Sequence, residues 1–430
     1  MQIADFHLHS KYSRACSKDL DIKNLEKYGK IKGIDILGTG DFTHPKWIME
    51  LKSNLKEHQE EKGIYVSSGN QRFILTTEIS LIYSDQGRGR RIHNVVLAPS
   101  LEVVDQITEY LKKHGRVDYD GRPIFKIPCD EFVYELKKIS DEIEVIPAHC
   151  LTPWFSIFGE MTGYNTVKEC FKDQTKHIHA LETGISADPG MIYRVKDWRQ
   201  YALVSNSDSH SFWPWRIGRE ATLFNMKNIS YNNLINSIRN KELAGTIEVD
   251  PGYGKYHFTG HRNCNIVMNP ADAEKIHNIC PVCKSKMTIG VSARVEELAD
   301  RPEGNYDDVQ ESYSIMPLTE LISGYYKYPL ASKKAWKTYN DLIARFHNEF
   351  NILLNADLGE LKKVVDEGFS HVILANREGK IRVKPGFDGV YGIPLIHGDE
   401  EYDFDVKEKE GYTEKIVKIG KNQSTLGNFT

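Results

Sequence analysis

Two histidines stand two residues apart near the start of the chain, in Asp5-Phe6-His7-Leu8-His9-Ser10. Residues 3–9 read as a short apolar strand, on which positions two apart share a face. Two imidazoles so placed repel if both are protonated. If both are neutral, they can give lone pairs to one cation. A lone His-x-His is most simply a hydrogen-bonded pair, and His177 and His179 form a second one that carries no assignment. The first pair has company. Glu78, His93, His149, Asp208 and His210 all stand at or just beyond the ends of apolar, strand-like runs. Glu78 lies within Phe73–Tyr83, a buried-strand run in which a carboxylate must be paired, protonated or metal-bound. Such a set converging from several strand ends describes a multinuclear metal site, with Glu78 suited to bridge two ions. A hydroxide held between two ions is a nucleophile at neutral pH, and the same ions stabilise phosphoryl oxygens and a leaving group.

A second metal pattern lies further along. His261-Arg262-Asn263-Cys264 and Cys280-Pro281-Val282-Cys283 are two knuckles separated by fifteen residues. His261, Cys264, Cys280 and Cys283 can close a tetrahedral zinc site, and four protein ligands leave no open position, so its role is structural. His257 competes with His261 for the fourth place. Seven cysteines is an odd number, and three of them cluster here, which suits a reducing cytoplasm better than a disulfide framework. Cys16, Cys129, Cys150 and Cys170 are scattered and read as buried thiols.

The elements that must position these residues alternate. Strand-like runs at 34–38, 144–149, 178–183, 202–210 and 221–224 are interleaved with helical ones at 19–32, 101–114, 130–139 and 230–241. That alternation implies a largely parallel sheet, and polar residues at strand C-termini are where a β/α barrel places its active site. The reading is an α/β fold: an irregular β/α barrel over 1–250, irregular because 73–97 looks like adjacent strands with no helix between. A zinc-knuckle module follows over 251–290. Residues 291–398 form a mainly helical region with a β-hairpin at His371–Val383, assigned to DNA binding. Residues 399–430 are a charged linker and tail. The chain has 430 residues, enough for several cores; it is 40% hydrophobic and 27% charged, with a net charge of -4. No apolar run approaches a membrane span, so no membrane partner and a cytoplasmic location are expected. With no bulk positive charge, nucleic acid would bind through a local patch.

Over about 1–250 the motifs resemble the PHP (polymerase and histidinol phosphatase) family. Residues 5–10 look like its first motif, Asp41 stands where its second begins, Glu78 looks like its bridging glutamate, and 207–210 look like its last. The resemblance implies that His7, His9, Glu78 and Asp208 hold one ion, Glu78, His93 and His149 a second, and His210 a third. It also implies catalytic roles for Glu78, Asp208 and His210. The family usually has a histidine directly after the second-motif aspartate; here Phe42 follows Asp41, and His44 is the substitute. With Gly38–Pro45, the 180–189 segment, the knuckle pair and the helical tail, nearly the whole chain resembles the endonuclease Q family. His261 stands where that family would have a cysteine. The resemblance implies two or three divalent ions (zinc, manganese or iron), one structural zinc, and cleavage of DNA on the 5′ side of a deaminated base or abasic site. The damaged nucleotide must then be flipped out of the stack. Trp154, Trp213 and Trp215 are either stacking platforms for that base or rim packing, and Arg216 a phosphate contact. The competing readings are a PHP phosphatase of a small phosphoester and a non-catalytic DNA-binding scaffold. Gln423, Leu426 and Phe429, spaced by threes at the C-terminus, resemble the peptide that binds a PCNA-type sliding clamp.

Overall fold

The apolar run Arg72–Asp85 turns back on itself as Arg88–Ala98, forming a long antiparallel hairpin. Gln86 and Gly87 make the turn with φ of 49° and 75°, the left-handed geometry whose twist suits a two-residue loop. The sheet grows from this hairpin in both directions. Ile36–Gly38 pairs in parallel with its first arm, Gln2–Asp5 in parallel with Ile36–Gly38, and Ala221–Phe224 antiparallel to Gln2–Asp5. Gly245–Glu248 and then Ser312–Ser314 continue that side, so the sheet draws on chain beyond the knuckles. On the other side Glu144–Pro147 runs antiparallel to the second hairpin arm. Ala180–Glu182 and Ala202–Val204 form a separate parallel ribbon. It touches the sheet at both ends: Cys150 N–H donates to Glu182 O at 2.9 Å, and Ser205 N–H to Thr222 Oγ1 at 3.0 Å.

The sheet is therefore mixed, not largely parallel. A two-residue connection can only join antiparallel neighbours, so strand direction reverses at 86–87, and Ala221–Phe224 brings a second reversal on the other side of the sheet. What the structure establishes is a mixed α/β fold with a central mixed sheet and a helical C-terminal region. The computed structural model describes residues 1–304 and 306–396. The charged linker and Gln423, Leu426 and Phe429 lie outside them. Among the described residues, no helix is long and apolar enough to cross a membrane.

One buried cluster takes residues from the strands in turn: Ala4, Ile36, Ile74, Val95, Ile146, Ala180, Ala202 and Phe224. Two extended segments approach closely near the N-terminus. A Cβ on Gly38 would meet Phe6 O at 2.2 Å, and one on Gly40, whose φ is 62°, would meet Leu8 O at 2.2 Å. Glycine there lets the second strand lie against the His7–His9 segment.

Helix Ile22–Lys32 is capped by Asp21, which accepts from Asn24 N–H, and stops at Gly33 with φ of 94°. It packs on the C-terminal helices through a buried pair: Lys32 Nζ donates to Glu349 Oε1 at 2.7 Å and to Pro214 O at 2.7 Å. Helices Leu318–Tyr326, Lys333–Phe346, Glu349–Leu354 and Glu367–Arg377 make up that region. The last corrects the expected hairpin at 371–383. Asp366 caps it by accepting from Phe369 N–H, and its buried residues Phe369, Ile373 and Asn376 are spaced four and three apart, the helical period. The strand pair lies later, Arg382–Lys384 against Ile393–Leu395.

Candidate metal centre

The two ends of the PHP-like segment meet at one seam. His9 N–H donates to Ser209 O at 3.1 Å beside the Leu8–Ser209 bridge. This seam brings His7 and His9 to Asp208. Glu78 and His93 come from the two arms of the hairpin. Their register places Glu78 opposite Val95 and His93 opposite Ser80, diagonal neighbours on one face. His149 follows the end of Glu144–Pro147, the strand beside His93. Asp41, His149 and Asp208 all carry positive φ, 49°, 31° and 46°. Such conformations cost energy and persist where the surroundings hold a side chain at a required angle.

Four side chains form the first set. His7 Nε2 lies 3.5 Å from Glu78 Oε2 and 3.6 Å from Asp208 Oδ1, and His9 Nε2 lies 3.3 and 3.1 Å from the same two oxygens. Three form the second: His93 Nδ1 is 2.6 Å and His149 Nε2 3.3 Å from Glu78 Oε1, and the two nitrogens are 3.4 Å apart. Ligands about 2.1 Å from one ion at tetrahedral angles stand about 3.4 Å from each other. The spacings fit a cation in each set. Glu78 offers one oxygen to each, as a bridging carboxylate must. His7 Nε2 is buried with no hydrogen-bond partner, an orphan that a cation would satisfy.

The field points the same way. Burial works against charge on Glu78, yet His93, Arg122 and His7 hold its carboxyl well below the usual range. Asp208 is likewise held down against burial, by His210 and His7 first. Burial opposes a proton on His7, and Glu182, Glu78 and Asp208 outweigh it. Carboxylates that draw a proton this strongly also draw a metal ion. Burial pushes His93 and His210 down to about 4, keeping their rings neutral and their lone pairs free.

Two residues of the expected set stand elsewhere. Asp41 Oδ2 accepts from Ser10 N–H at 2.6 Å and from the Ser10 and Ser13 hydroxyls at 2.7 and 2.8 Å, and Oδ1 faces His9 Nδ1 at 3.1 Å. It stands behind His9 and orients the ring. His44 joins neither set; its ring stacks on Tyr12 at 4.5 Å. The helix that starts at Pro45 carries it that way. His210 lines the cavity beside His9, with ring centroids 4.5 Å apart and Nδ1 3.0 Å from Asp208 O.

Sequence reasoning missed two participants. Glu182 faces His7 Nδ1 at 3.0 Å, accepts His149 N–H at 2.7 Å and is bonded by Asn206 Nδ2 at 2.8 Å. Its signal was present: a carboxylate closing the apolar run Ala180-Leu181, as at Glu78. Arg122 Nη1 lies 3.1 Å from Glu78 Oε2. It sits in the irregular stretch between Asp120 and Pro123, where no periodicity marks it.

The cavity has a volume of about 490 Å³ and exposes His93, His149, Asp208 and His210 beside Trp154, Phe155 and Tyr256. Trp154 sits edge-on to Tyr256 at 5.3 Å. Trp213 and Trp215 are not on its wall. They stack on each other at 5.3 Å and pack on Trp336 of helix Lys333–Phe346, which decides for packing. Arg216 reaches Tyr391 Oη at 3.4 Å. His179 is bonded to Glu144 Oε1 at 2.7 Å, a structural tie on the far side of the fold.

The two knuckles come together. His261, Cys264, Cys280 and Cys283 gather with ligand atoms within 4.8 Å of one another, and Cys283 Sγ lies 3.3 Å from His261 Nδ1. Asn265 and Lys284, each just after a knuckle's second ligand, take φ of 53° and 63°, so the two turns share one geometry. His257 is turned away, with Nδ1 3.4 Å from Ser186 O.

A family model described as the MJ0043 C-terminal domain matches residues 317–380. The uncharacterized protein MJ0043 of Methanocaldococcus jannaschii is 30% identical over 290 residues, covering 65% of this chain and 34% of that protein. The uncharacterized protein YqxK of Bacillus subtilis is 26% identical over 406 residues, covering 90% of this chain and 98% of that protein. The chain thus spans about a third of the length of the first relative and nearly all of the second. Among solved structures, the lesion-specific endonuclease PfuEndoQ from Pyrococcus furiosus superposes with a TM-score of 0.82 at 29% identity, over 95% of this chain and 100% of that one. An endonuclease Q in complex with a 27-mer duplex substrate, with an abasic lesion at the active site, superposes with a TM-score of 0.82 at 29% identity over 92% and 96%. The family that the motifs resemble is the family that the fold resembles over nearly the whole chain: endonuclease Q.

Proposed function

We propose that this chain is a metal-dependent DNA repair endonuclease. It hydrolyses the phosphodiester on the 5′ side of a deaminated base (uracil, hypoxanthine or xanthine) or abasic site, with the damaged nucleotide flipped into the cavity. One observation carries the reading: two candidate cation sets joined by Glu78 gather within a fold similar to endonuclease Q over 95% of the chain. A small phosphoester would need neither the knuckle module nor the helical region. The closing contacts of the ribbon 180–182/202–204 and the shared interior cluster favour an irregular PHP-type barrel over 1–250. We assign the Cys/His module to holding a structural zinc, 291–398 to DNA binding, and the tail to a PCNA-type clamp.

Divalent ions in the two sets supply an activated water and charge stabilisation for phosphoryl transfer. The chain's own residues do the rest. Glu182 and Asp41 fix His7 and His9 through Nδ1, leaving Nε2 as the ligand atom in each, and Thr152 Oγ1 at 3.0 Å from Nδ1 does the same for His149. His210 adjoins Asp208 and is placed for a third ion or for proton transfer. Arg122 brings a fixed positive charge to the side of Glu78 where phosphoryl oxygens would gather. Trp154 and Tyr256 offer aromatic faces for an extruded base.

The test is nicking of labelled duplex and single-stranded oligonucleotides carrying one uracil, hypoxanthine or abasic site, with manganese, magnesium or zinc. The expected result is cleavage 5′ to the lesion by the wild type and loss of at least about a hundredfold in rate for Asp208→Ala. No nicking of any lesion, with turnover of a small phosphomonoester instead, overturns the reading.

A further inference from the structure

One wall of the cavity comes from the far end of the described chain. Residues 385–392 fold back on 252–255: Gly386 N–H donates to Gly252 O at 2.8 Å, Gly389 N–H to Lys255 O at 2.9 Å and Gly392 N–H to Tyr253 O at 2.9 Å. The approach is close enough that a Cβ on Gly392 would meet Gly252 O at 2.1 Å. This loop holds Tyr391 on the cavity wall beside Lys255 and Arg219.

Three cations converge on that phenol. Arg216 Nη1 is 3.4 Å from its oxygen, and Lys255 Nζ lies 5.8 Å from its ring centre. Arg219 is only 6% exposed; its Nε and Nη2 donate to Ser207 O at 3.1 and 2.9 Å. Its third nitrogen, Nη1, is buried with no hydrogen-bond partner. Among the described residues none of the three forms an ion pair within 4.0 Å, although buried Glu220 and Glu320 act on the two guanidiniums at longer range. Burial by itself raises the Tyr391 phenol, yet Arg219, Arg216 and Lys255 outweigh it and bring it down to about 8. A buried guanidinium with an unmet donor, on a cavity wall where Arg219 and Lys255 form no ion pair and Glu220 acts on Arg219 only at longer range, is a place for an anion.

We infer that Lys255, Arg219 and Tyr391 hold a backbone phosphate of the nucleic-acid strand, next to the phosphodiester that is cleaved. The inference rests on the endonuclease reading, which supplies the polyanion. Arg219 directs its free nitrogen to the phosphate, the Tyr391 hydroxyl donates to it, and Lys255 adds charge from the half-exposed rim. The C-terminal loop is then part of the substrate site, beyond the segment that carries the metal ligands.

The experiment uses the full chain and a duplex whose linkage on the 5′ side of the lesion is non-hydrolysable, so that binding is read apart from cleavage. Dissociation constants for a duplex with one abasic analogue are measured from 50 to 200 mM salt for wild type, Lys255→Gln, Tyr391→Phe and the control Lys23→Gln. Lys255 and Tyr391 are half-exposed and Lys23 is exposed, so the substitutions leave the core untouched. A lost phosphate contact weakens binding by about five- to tenfold and lowers the log–log salt slope by about one in Lys255→Gln. Tyr391→Phe should weaken binding with the slope unchanged, since a neutral hydroxyl is removed, and Lys23→Gln should match wild type. A Lys255→Gln protein with wild-type affinity and slope overturns the inference while wild-type nicking leaves the endonuclease reading standing. A wild type that nicks no lesion overturns that reading, and the inference with it.

Discussion

The chemistry of this site depends on carboxylates that are not themselves ligands. Glu182 holds His7 by Nδ1 and the His149 backbone N–H at once, so a single side chain sets the angle of a ligand in each cation set. Glu182→Gln keeps the shape and removes the charge. Metal affinity, measured by competition with a chelator, should fall by about ten- to a hundredfold, and nicking should recover in part at high manganese. An unchanged affinity would reduce Glu182 to packing. A different pair shows what burial does without such partners. Glu248 is pushed by burial from its ordinary 4.5 up to about 8, although the Thr246, Ser205 and Thr183 hydroxyls oppose the shift. Glu220 beside it is raised well above its usual range, and neither of its oxygens has a partner. A carboxyl whose folded pKa is raised binds more protons folded than unfolded between those limits. Its stabilising contribution is full below about 4.5 and is lost as pH rises through about 8. The urea midpoint of wild type should therefore drop more between pH 6 and pH 8.5 than that of Glu248→Gln. Equal drops would show that Glu248 does not titrate in that window.

At the scale of elements, the loop that follows His210 is clamped between two helices. Phe212 and Trp213 pack on Tyr28 of helix Ile22–Lys32, Trp213 and Trp215 pack on Trp336, and Lys32 Nζ bonds Pro214 O. Glu349 completes the clamp by accepting from Lys32, Leu318 N–H and the Tyr339 hydroxyl. Burial pulls the Lys32 pKa down, and Glu349 is what keeps a charge there worthwhile. Removing one member of such a pair strands the other. Lys32→Met should cost about 3–5 kcal/mol in urea unfolding. The Lys32→Met/Glu349→Gln double variant should recover part of that. A double variant no better than the single one would mean that the clamp acts through shape alone.

For the molecule as a whole, the C-terminal helices share one continuous core with the sheet, from Ile3 through to Ile373. The sheet and the C-terminal helices are thus packed as one body around the loop that carries Asp208 and His210. The tail carrying Gln423, Leu426 and Phe429 lies outside the described residues, and the proposal for it stands on spacing alone. A Leu426→Ala/Phe429→Ala variant should lose binding to the sliding clamp of the same organism while nicking naked DNA at the wild-type rate. Equal binding by both proteins, or none by either, removes the clamp from the account.

The residues that gather in the candidate cation sets were legible in the sequence because metal chemistry restricts residue types. A histidine pair on one strand face, a glutamate inside an apolar run and paired Cys/His knuckles have few other uses together. The helices at 101–112 and 129–139 were legible from periodicity, since each buries one face. Strand direction was not legible, because an apolar run reads alike in parallel and antiparallel company. The pairings decide it, at the 86–87 turn and where Ala221–Phe224 meets Gln2–Asp5. The 371–377 stretch read as a strand because its residues suit either state, and the core it meets at Phe369 and Ile373 selected helix. Trp213 and Trp215 follow the metal ligands in sequence, yet packing on Trp336 turns them from the cavity. Arg122 and Tyr391 reach the cavity from parts of the chain far from the His7–His9 and Asp208 segments. Such a meeting is set by how the sheet and the C-terminal loop close on each other, and local pattern holds no record of it.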